Sequence, residues 1–170
     1  MFYDIGQYLN CRDHFGEPMA CKIKQNPLES SVTRKGAGAV ASNKKHVLVV
    51  DDDTELLQLV NVLLSRIGVE STLAENAQIA LHYLRTAQRP DVLILDLMLP
   101  DVSGLEFLRQ IRNKPSFDEM PILILSALIE PDRIRTALDA GADRYLTKPY
   151  IANNLVSVVQ DILRTGRRRK

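Results

Sequence analysis

The regular part of the chain begins with His46-Val-Leu-Val-Val-Asp-Asp-Asp53, and a second run of the same kind is Asp91-Val-Leu-Ile-Leu-Asp96. Each is a short apolar stretch that ends in carboxylate, the pattern of a fully buried strand. In an open parallel sheet, ligands bind outside the carboxyl ends of the strands. Two such ends side by side place Asp51, Asp52 and Asp96 in one pocket. Clustered carboxylates repel one another, so the pattern predicts a bound hard cation such as Mg2+.

Two further apolar runs end in groups that bind phosphate oxygens. Pro121-Ile-Leu-Ile-Leu-Ser126 ends in a hydroxyl, and Ala142-Asp-Arg-Tyr-Leu-Thr-Lys148 ends in an ammonium that is followed by Pro149. Carboxylates that hold a metal, combined with a hydroxyl and an ammonium, form a set suited to gripping a phosphoryl group. One carboxylate of the set is free to act as a nucleophile.

Strands and helices are expected to alternate from His46 onward. Asp53 is predicted to cap the first helix and Gly68 to end it. Five strands alternating with five helices through short connections predict an α/β fold with a doubly wound, five-stranded parallel sheet. The predicted strands are 46–51, 69–74, 91–96, 121–126 and 143–147, and the predicted helices are 54–67, 76–88, 103–112, 131–140 and 151–165.

These motifs, in this order and spacing, resemble those of the receiver domains of two-component response regulators. The resemblance implies the flavodoxin-like strand order 2-1-3-4-5. It also implies a signalling domain that promotes only its own phosphorylation and dephosphorylation, and not an enzyme with a separate substrate. The matching motifs are Val49-Val50-Asp51-Asp52, Asp96-Leu97-Met98-Leu99-Pro100-Asp101 with Gly104, Ser126-Ala127, Ala140-Gly141-Ala142-Asp143 and Lys148-Pro149.

The resemblance assigns the metal and the phosphoryl group to particular residues. Asp96 corresponds to the phosphoacceptor aspartate of the family. Asp52 corresponds to a direct ligand of Mg2+, and Asp51 to a ligand that acts mainly through bound water. Asp96 itself and the backbone carbonyl of Met98 are expected to supply further oxygens. Asp53 is expected to cap the helix and not to bind the metal.

Three more residues are expected to respond to the phosphoryl group. Lys148 should contact its oxygens, and Ser126 should turn toward it and donate a hydrogen bond. Tyr145 matches the switch aromatic that moves inward with that hydroxyl, although a half-buried strand tyrosine without a switch role is the alternative. Met98 and Leu128 are apolar where other receivers can place polar side chains near attacking water, so slow self-dephosphorylation is expected.

Charge divides the chain into three regions: an N-terminal extension (1–45), expected to be mostly disordered, the receiver domain (46–165) and a basic tail (166–170). The extension has seven Lys or Arg against four Asp or Glu, the domain eleven against seventeen, and the tail four basic residues. An acidic domain makes nucleic acid an unexpected partner. No apolar run reaches the length of a membrane span and no secretory signal is evident, so a cytoplasmic location is expected.

The function expected from these features is that of a phosphoacceptor. A sensor histidine kinase or a histidine phosphotransfer protein would pass a phosphoryl group to Asp96 in the presence of Mg2+. The surface of the fourth helix, fifth strand and fifth helix would then bind a downstream protein. Two alternatives stay open at this point. The chain could be a receiver fragment of a longer regulator or hybrid kinase, or an interaction module on the same fold that works without phosphorylation.

Overall fold

The computed structural model describes residues 44–86, 89–148 and 151–167, without the side chains of 151–153. The predicted disorder of the extension therefore falls outside the described residues, apart from Lys44 and Lys45. Residues 168–170 of the predicted basic tail also fall outside them.

One parallel sheet forms the centre of the described domain. Its strands are β1 (His46–Val50), β2 (Glu70–Ala74), β3 (Val92–Leu95), β4 (Ile122–Ser126) and β5 (Arg144–Thr147). They are arranged in the order β2-β1-β3-β4-β5, and all four pairings are parallel. This confirms the predicted flavodoxin-like topology. The reversal of direction between β1 and β3 is the switch point at which such sheets bind ligands.

Helices connect the strands and cover both faces of the sheet. They are α1 (Thr54–Ser65), α2 (Ala77–Thr86), α3 (Gly104–Arg112), α4 (Pro131–Asp139) and α5 (Ile151–Thr165), with a short 3-10 helix at Pro115–Phe117. The predicted helices all occur, and their described ends differ from the prediction by at most two residues, as frayed helix ends usually do. The predicted end of the second helix at residue 88 falls outside the described residues. Gly68 follows α1 with a φ of 73°, a conformation that glycine adopts at little cost.

The alternating side chains of the strands supply two separate hydrophobic layers. Leu48 and Val50 of β1 pack into the layer under α2, α3 and α4, where Phe107 is a large buried residue. Val47 and Val49 point to the opposite face, into the layer under α1 and α5. Because successive residues of a strand face opposite sides, a sheet covered on both faces needs apolar residues at every position. The continuous apolar runs of β1, β3 and β4 meet this need, whereas the edge strands β2 and β5 are only partly buried.

None of the helices in the described part of the chain has both the length and the apolar character required to cross a membrane.

Candidate phosphoryl and metal site

Three carboxylates meet where β1 and β3 end. Val50 and Leu95 are paired in the register of these strands, so Asp51 and Asp96, which follow them, lie side by side. Asp51, Asp52 and Asp96 each offer an oxygen that lies within 4.8 Å of those of the other two. Asp51 is 1% exposed and Asp96 is 4% exposed, whereas Asp52 is exposed. The structure therefore brings together the three carboxylates that the sequence placed at this edge.

Backbone amides orient two of these carboxylates. The amide of Asp53 donates to Asp51 Oδ1 at 3.1 Å, and the amide of Leu97 donates to Asp96 Oδ1 at 2.6 Å. The Asp53 side chain accepts two amide hydrogen bonds from the first turn of α1, each of 3.0 Å. Asp53 is thus the N-cap of α1, as predicted.

A single ammonium group bridges two of the carboxylates. Lys148 follows β5, and its Nζ lies 2.7 Å from Asp51 Oδ2 and 3.0 Å from Asp96 Oδ2. Burial acts to lower the pKa of Lys148, but the hydrogen bonds to Asp51 and Asp96 outweigh it, so the pKa is raised. Lys148 therefore stays charged at neutral pH, inside the carboxylate cluster.

The charges of this cluster are not balanced by Lys148 alone. Burial raises the pKa of Asp51, because desolvation penalises the charged form, and it outweighs the lowering effects of Lys148 and of the Asp53 amide. The raised pKa of Lys148 favours a charged ion pair, whereas the raised pKa of Asp51 favours a neutral carboxyl group. The 2.7 Å contact identifies it as an ion pair. One ammonium facing three carboxylates leaves a negative pocket, which attracts a cation.

Two hydroxyl groups lie on the neighbouring strands. Ser126 ends β4 and is fully buried, and its Oγ makes no well-formed hydrogen bond within the described residues. Tyr145 on β5 is half-buried, and its hydroxyl donates to the carbonyl oxygen of Leu128 at 2.7 Å. Burial raises the pKa of Tyr145. Tyr145 thus connects β5 to the loop between β4 and α4 and lies beside the buried Ser126 hydroxyl.

The loop after Asp96 lies directly against the backbone of that residue. The amide of Gly104 donates to the carbonyl of Leu97 at 3.0 Å. A Cβ at position 104 would lie 2.2 Å from the Asp96 carbonyl oxygen and 2.6 Å from Leu97 Cα, so only glycine fits. Met98 belongs to this loop and has an exposed side chain. The ligand role expected for its carbonyl stays a prediction.

Sequence reasoning missed the contacts of Asp101, which lies in the same loop. Its carboxylate accepts hydrogen bonds from the amides of Ala77 at 3.2 Å, Gln78 at 3.0 Å and Val102 at 3.0 Å. Ala77 begins α2, 24 residues before Asp101. No local spacing could have indicated this contact, because only the packing of α2 beside the loop brings the groups together.

A cavity of about 970 Å³ lies elsewhere, along α4. Ile134 and Leu138 line its apolar side, and Asp118, Asp143 and Arg167 line its charged side. None of its lining residues belongs to the carboxylate cluster. The cluster, which holds buried charges at the switch point of the sheet, is therefore the better candidate for chemistry.

Comparison with known families agrees with this fold. A sequence model of the response regulator receiver domain matches residues 47–160, which is more than half of the chain. The chain therefore belongs to the response regulator receiver domain family of two-component signalling. Such domains are signalling modules and not classical enzymes.

Curated relatives are longer than this chain. It is 37% identical over 120 residues to the phosphate regulon transcriptional regulatory protein PhoB of Pseudomonas aeruginosa, covering 71% of this chain and 52% of that protein. It is 36% identical to the alkaline phosphatase synthesis transcriptional regulatory protein SphR of Synechococcus elongatus, covering 84% of this chain and 58% of that protein. The chain thus spans little more than half the length of these relatives.

Solved structures show the same fold. The chemotaxis response regulator CheY4 of Vibrio cholerae has a TM-score of 0.66 and 30% identity, covering 71% of this chain and 99% of that chain. The Francisella response regulator 1452 receiver domain also has a TM-score of 0.66 and 30% identity, with 71% and 98% covered.

Proposed function

We propose that this receiver accepts a phosphoryl group on Asp96 from a sensor histidine kinase or a histidine phosphotransfer protein, with Mg2+ as cofactor. The observation that carries the proposal is the cluster itself. Three carboxylates offer oxygens within 4.8 Å of one another, and a lysine ammonium contacts two of them. A domain that needed only stability would gain little from gathering these charges, because like charges held together oppose folding.

The donor set fits magnesium. Mg2+ prefers oxygen ligands, uses one or two carboxylates and retains several waters. Asp52 and Asp96 would bind it directly, Asp51 mainly through water, and the Met98 carbonyl would complete the set. The exposure of Asp52 suits a site that keeps water. When bound, the ion supplies positive charge that stabilises the oxygens of the phosphoryl group in transfer.

Asp96 is suited to the role of nucleophile. In transfer from phosphohistidine, a carboxylate oxygen of Asp96 forms a bond to phosphorus while the phosphorus–nitrogen bond breaks, and the electron pair stays on the imidazole nitrogen. Lys148 already lies 3.0 Å from Asp96 Oδ2, where it can move to the new phosphoryl oxygens. The positive charge of Lys148 would stabilise the phosphoryl oxygens of the acyl phosphate formed on Asp96.

The signal would leave the site through Ser126 and Tyr145. The buried Ser126 hydroxyl turns to donate to the phosphoryl group, which draws in the loop that follows β4. Tyr145 is hydrogen-bonded to that loop through the Leu128 carbonyl, so a shift of the loop releases the ring to move inward. The surface of α4, β5 and α5 changes as a result and binds a downstream protein.

Asp96→Asn tests the acceptor assignment. With acetyl phosphate and Mg2+, the parent should gain one acid-labile, hydroxylamine-sensitive phosphoryl group, and the variant should gain none, as seen on a Phos-tag gel. Asp53→Asn is the matched control, because asparagine also caps helices and Asp53 lies outside the cluster. The control should be labelled as well as the parent. Labelling of Asp96→Asn at the parent's level would show that the acceptor lies elsewhere.

The length of the relatives favours the alternative in which this receiver acts within a longer regulator. PhoB and SphR are named transcriptional regulatory proteins, and the chain spans 52% and 58% of them. We propose on this ground that the signal controls an output unit of that kind. The names of these relatives do not support the prediction that nucleic acid is an unlikely partner. Sequencing the gene beyond the codon for Lys170 tests the proposal.

We also propose that the protein acts in the cytoplasm.

A further inference from the structure

The loop between β3 and α3 is held at two separate points. At its start, Leu97 donates its amide to Asp96 and accepts a hydrogen bond from Gly104. In its middle, the carboxylate of Asp101 is bound to the first turn of α2. Met98 lies between these two anchors, one residue after the first and three before the second. The position of its backbone therefore depends on both.

Asp101 is exposed, but its contact with α2 consists of more than one hydrogen bond. One carboxylate receives two amides of the helix and a third from Val102, at 3.0–3.2 Å. Hydrogen bonds to a charged acceptor are among the stronger ones in proteins, and a negative charge is favoured at the N-terminus of a helix.

Helix α2 already has a local cap. The side chain of Asn76 accepts a hydrogen bond from the amide of Ile79 at 2.9 Å. Asn76 satisfies one amide of the helix start, and Asp101 accepts from two different ones, so the two caps can be removed separately. Asp101 thus fixes the loop against a rigid element.

We propose that Asp101 is a positioning residue for the metal pocket: through its contact with α2 it fixes the loop that presents the Met98 carbonyl. This rests on the proposed function, in which that carbonyl is a magnesium ligand. Asp101 does not touch the metal in this role. It acts as the partners behind metal ligands generally do, by holding a ligand in the orientation that the ion needs.

The experiment compares the magnesium affinity of four proteins by calorimetric titration. Asp101→Ala should raise the Kd about tenfold, the lower end of the range for residues that orient a ligand. Asn76→Ala is the matched control, since it removes a cap from the same helix without touching the loop, and its Kd should equal that of the parent. Asp101→Asn keeps one acceptor oxygen and loses the charge. Its Kd should fall between those of the parent and Asp101→Ala.

A second measurement does not involve the metal. In the metal-free protein, Asp101→Ala should speed hydrogen exchange at the amides of Ala77, Gln78 and Val102, which lose their acceptor. Asn76→Ala should speed exchange at Ile79. If Asp101→Ala is too unstable to study, Asp101→Asn serves in both measurements.

The outcomes separate this inference from the proposed function. A parent that binds no magnesium overturns the metal site and the positioning role together. A parent that binds, with Asp101→Ala unchanged, overturns the positioning role alone. Equal weakening in Asp101→Ala and Asn76→Ala would assign the effect to α2 stability. Equal weakening in Asp101→Ala and Asp101→Asn would assign it to charge. Either result also overturns the role.

Discussion

Asp143 and Asp96 are both buried aspartates paired with a cation, but they lie at opposite edges of the sheet. Asp143 precedes β5, and its Oδ2 accepts hydrogen bonds from Arg112 and from the amide of Ile122, each of 2.9 Å. Arg112 also donates to three backbone carbonyls, at 2.8–3.1 Å. Asp96 shares the single ammonium of Lys148 with Asp51.

The difference lies in how completely each pair is satisfied. The guanidinium of Arg112 has an acceptor on each of its nitrogens, and it connects the segments before β4 and β5. Burial, chiefly, lowers the pKa of Arg112 to about 10, which still leaves it charged at neutral pH. At the other edge, the buried carboxylates of Asp51 and Asp96 share one ammonium, and the exposed carboxylate of Asp52 lies beside them. A buried charge therefore indicates function here only where its pairing is incomplete.

Replacing Arg112 or Lys148 with methionine should lower the stability of the protein by unequal amounts. Arg112→Met should lower the free energy of unfolding by about 3–5 kcal/mol, because it removes the 2.9 Å ion pair of the buried Asp143. The loss should be the same with and without magnesium. Urea denaturation measures both values. A loss below about 1 kcal/mol would show that Asp143 finds another partner and that the pair is not structural.

Lys148→Met should lower the free energy of unfolding by less, about 1–3 kcal/mol without metal, because it leaves buried acceptors unsatisfied. Here magnesium should restore stability, because the ion and the ammonium neutralise the same carboxylates. The stabilisation by magnesium should therefore be larger in the variant than in the parent, in contrast to Arg112→Met. Denaturation at several magnesium concentrations tests this. A smaller magnesium effect in the variant would mean that Lys148 assists metal binding.

Magnesium alone should stabilise the parent, by about 1.4 kcal/mol at ten times its Kd. Asp52→Asn removes a proposed direct ligand and one repelling charge. Its metal-free stability should match or exceed that of the parent, and its response to magnesium should be lost. Thermal melts of both proteins with and without the ion provide the measurement. A variant that is less stable without metal yet responds fully would identify Asp52 as a structural residue.

The smallest expected effect is a pH dependence of stability that arises from His46, at the amino edge of the sheet. His46 is stacked on Tyr83 and lies 3.0 Å from Thr72 Oγ1. Burial lowers the pKa of His46, although Glu70 and Asp91 oppose the shift. The unfolded chain then binds the proton more readily than the folded one. Stability from His46 is complete above the ordinary pKa of about 6.5 and is lost as the pH falls through the lowered value.

The test is denaturation of the parent and of His46→Gln between pH 7.5 and 5. The parent should lose more stability than the variant over this interval, to the same extent with or without magnesium. Identical pH profiles would show that His46 titrates alike in the folded and unfolded chain.

Much of the domain could be predicted from local patterns. The apolar runs indicated β1, β3 and β4, because a central strand covered on both faces needs apolar residues throughout. The edge strands β2 and β5 are only partly buried and carry polar residues. The helical spacing in α1 and the cap at Asp53 were readable because a cap and its amides lie within three residues of each other. The gathering of Asp51, Asp52 and Asp96 was predictable for a further reason. Residues that end parallel strands meet at one edge of a sheet.

Other contacts were decided only by the tertiary structure. The sequence placed Lys148 at the same edge as the carboxylates, but it did not indicate that one ammonium joins Asp51 to Asp96, which lies 52 residues from Lys148. The docking of Asp101 on α2 and the network of Arg112 likewise join distant segments. The spacing of apolar residues along a helix or strand indicates which side of that element faces the core. The partner of a polar group is set instead by how neighbouring elements pack, and its position becomes defined only when the whole sheet and its helices are in place.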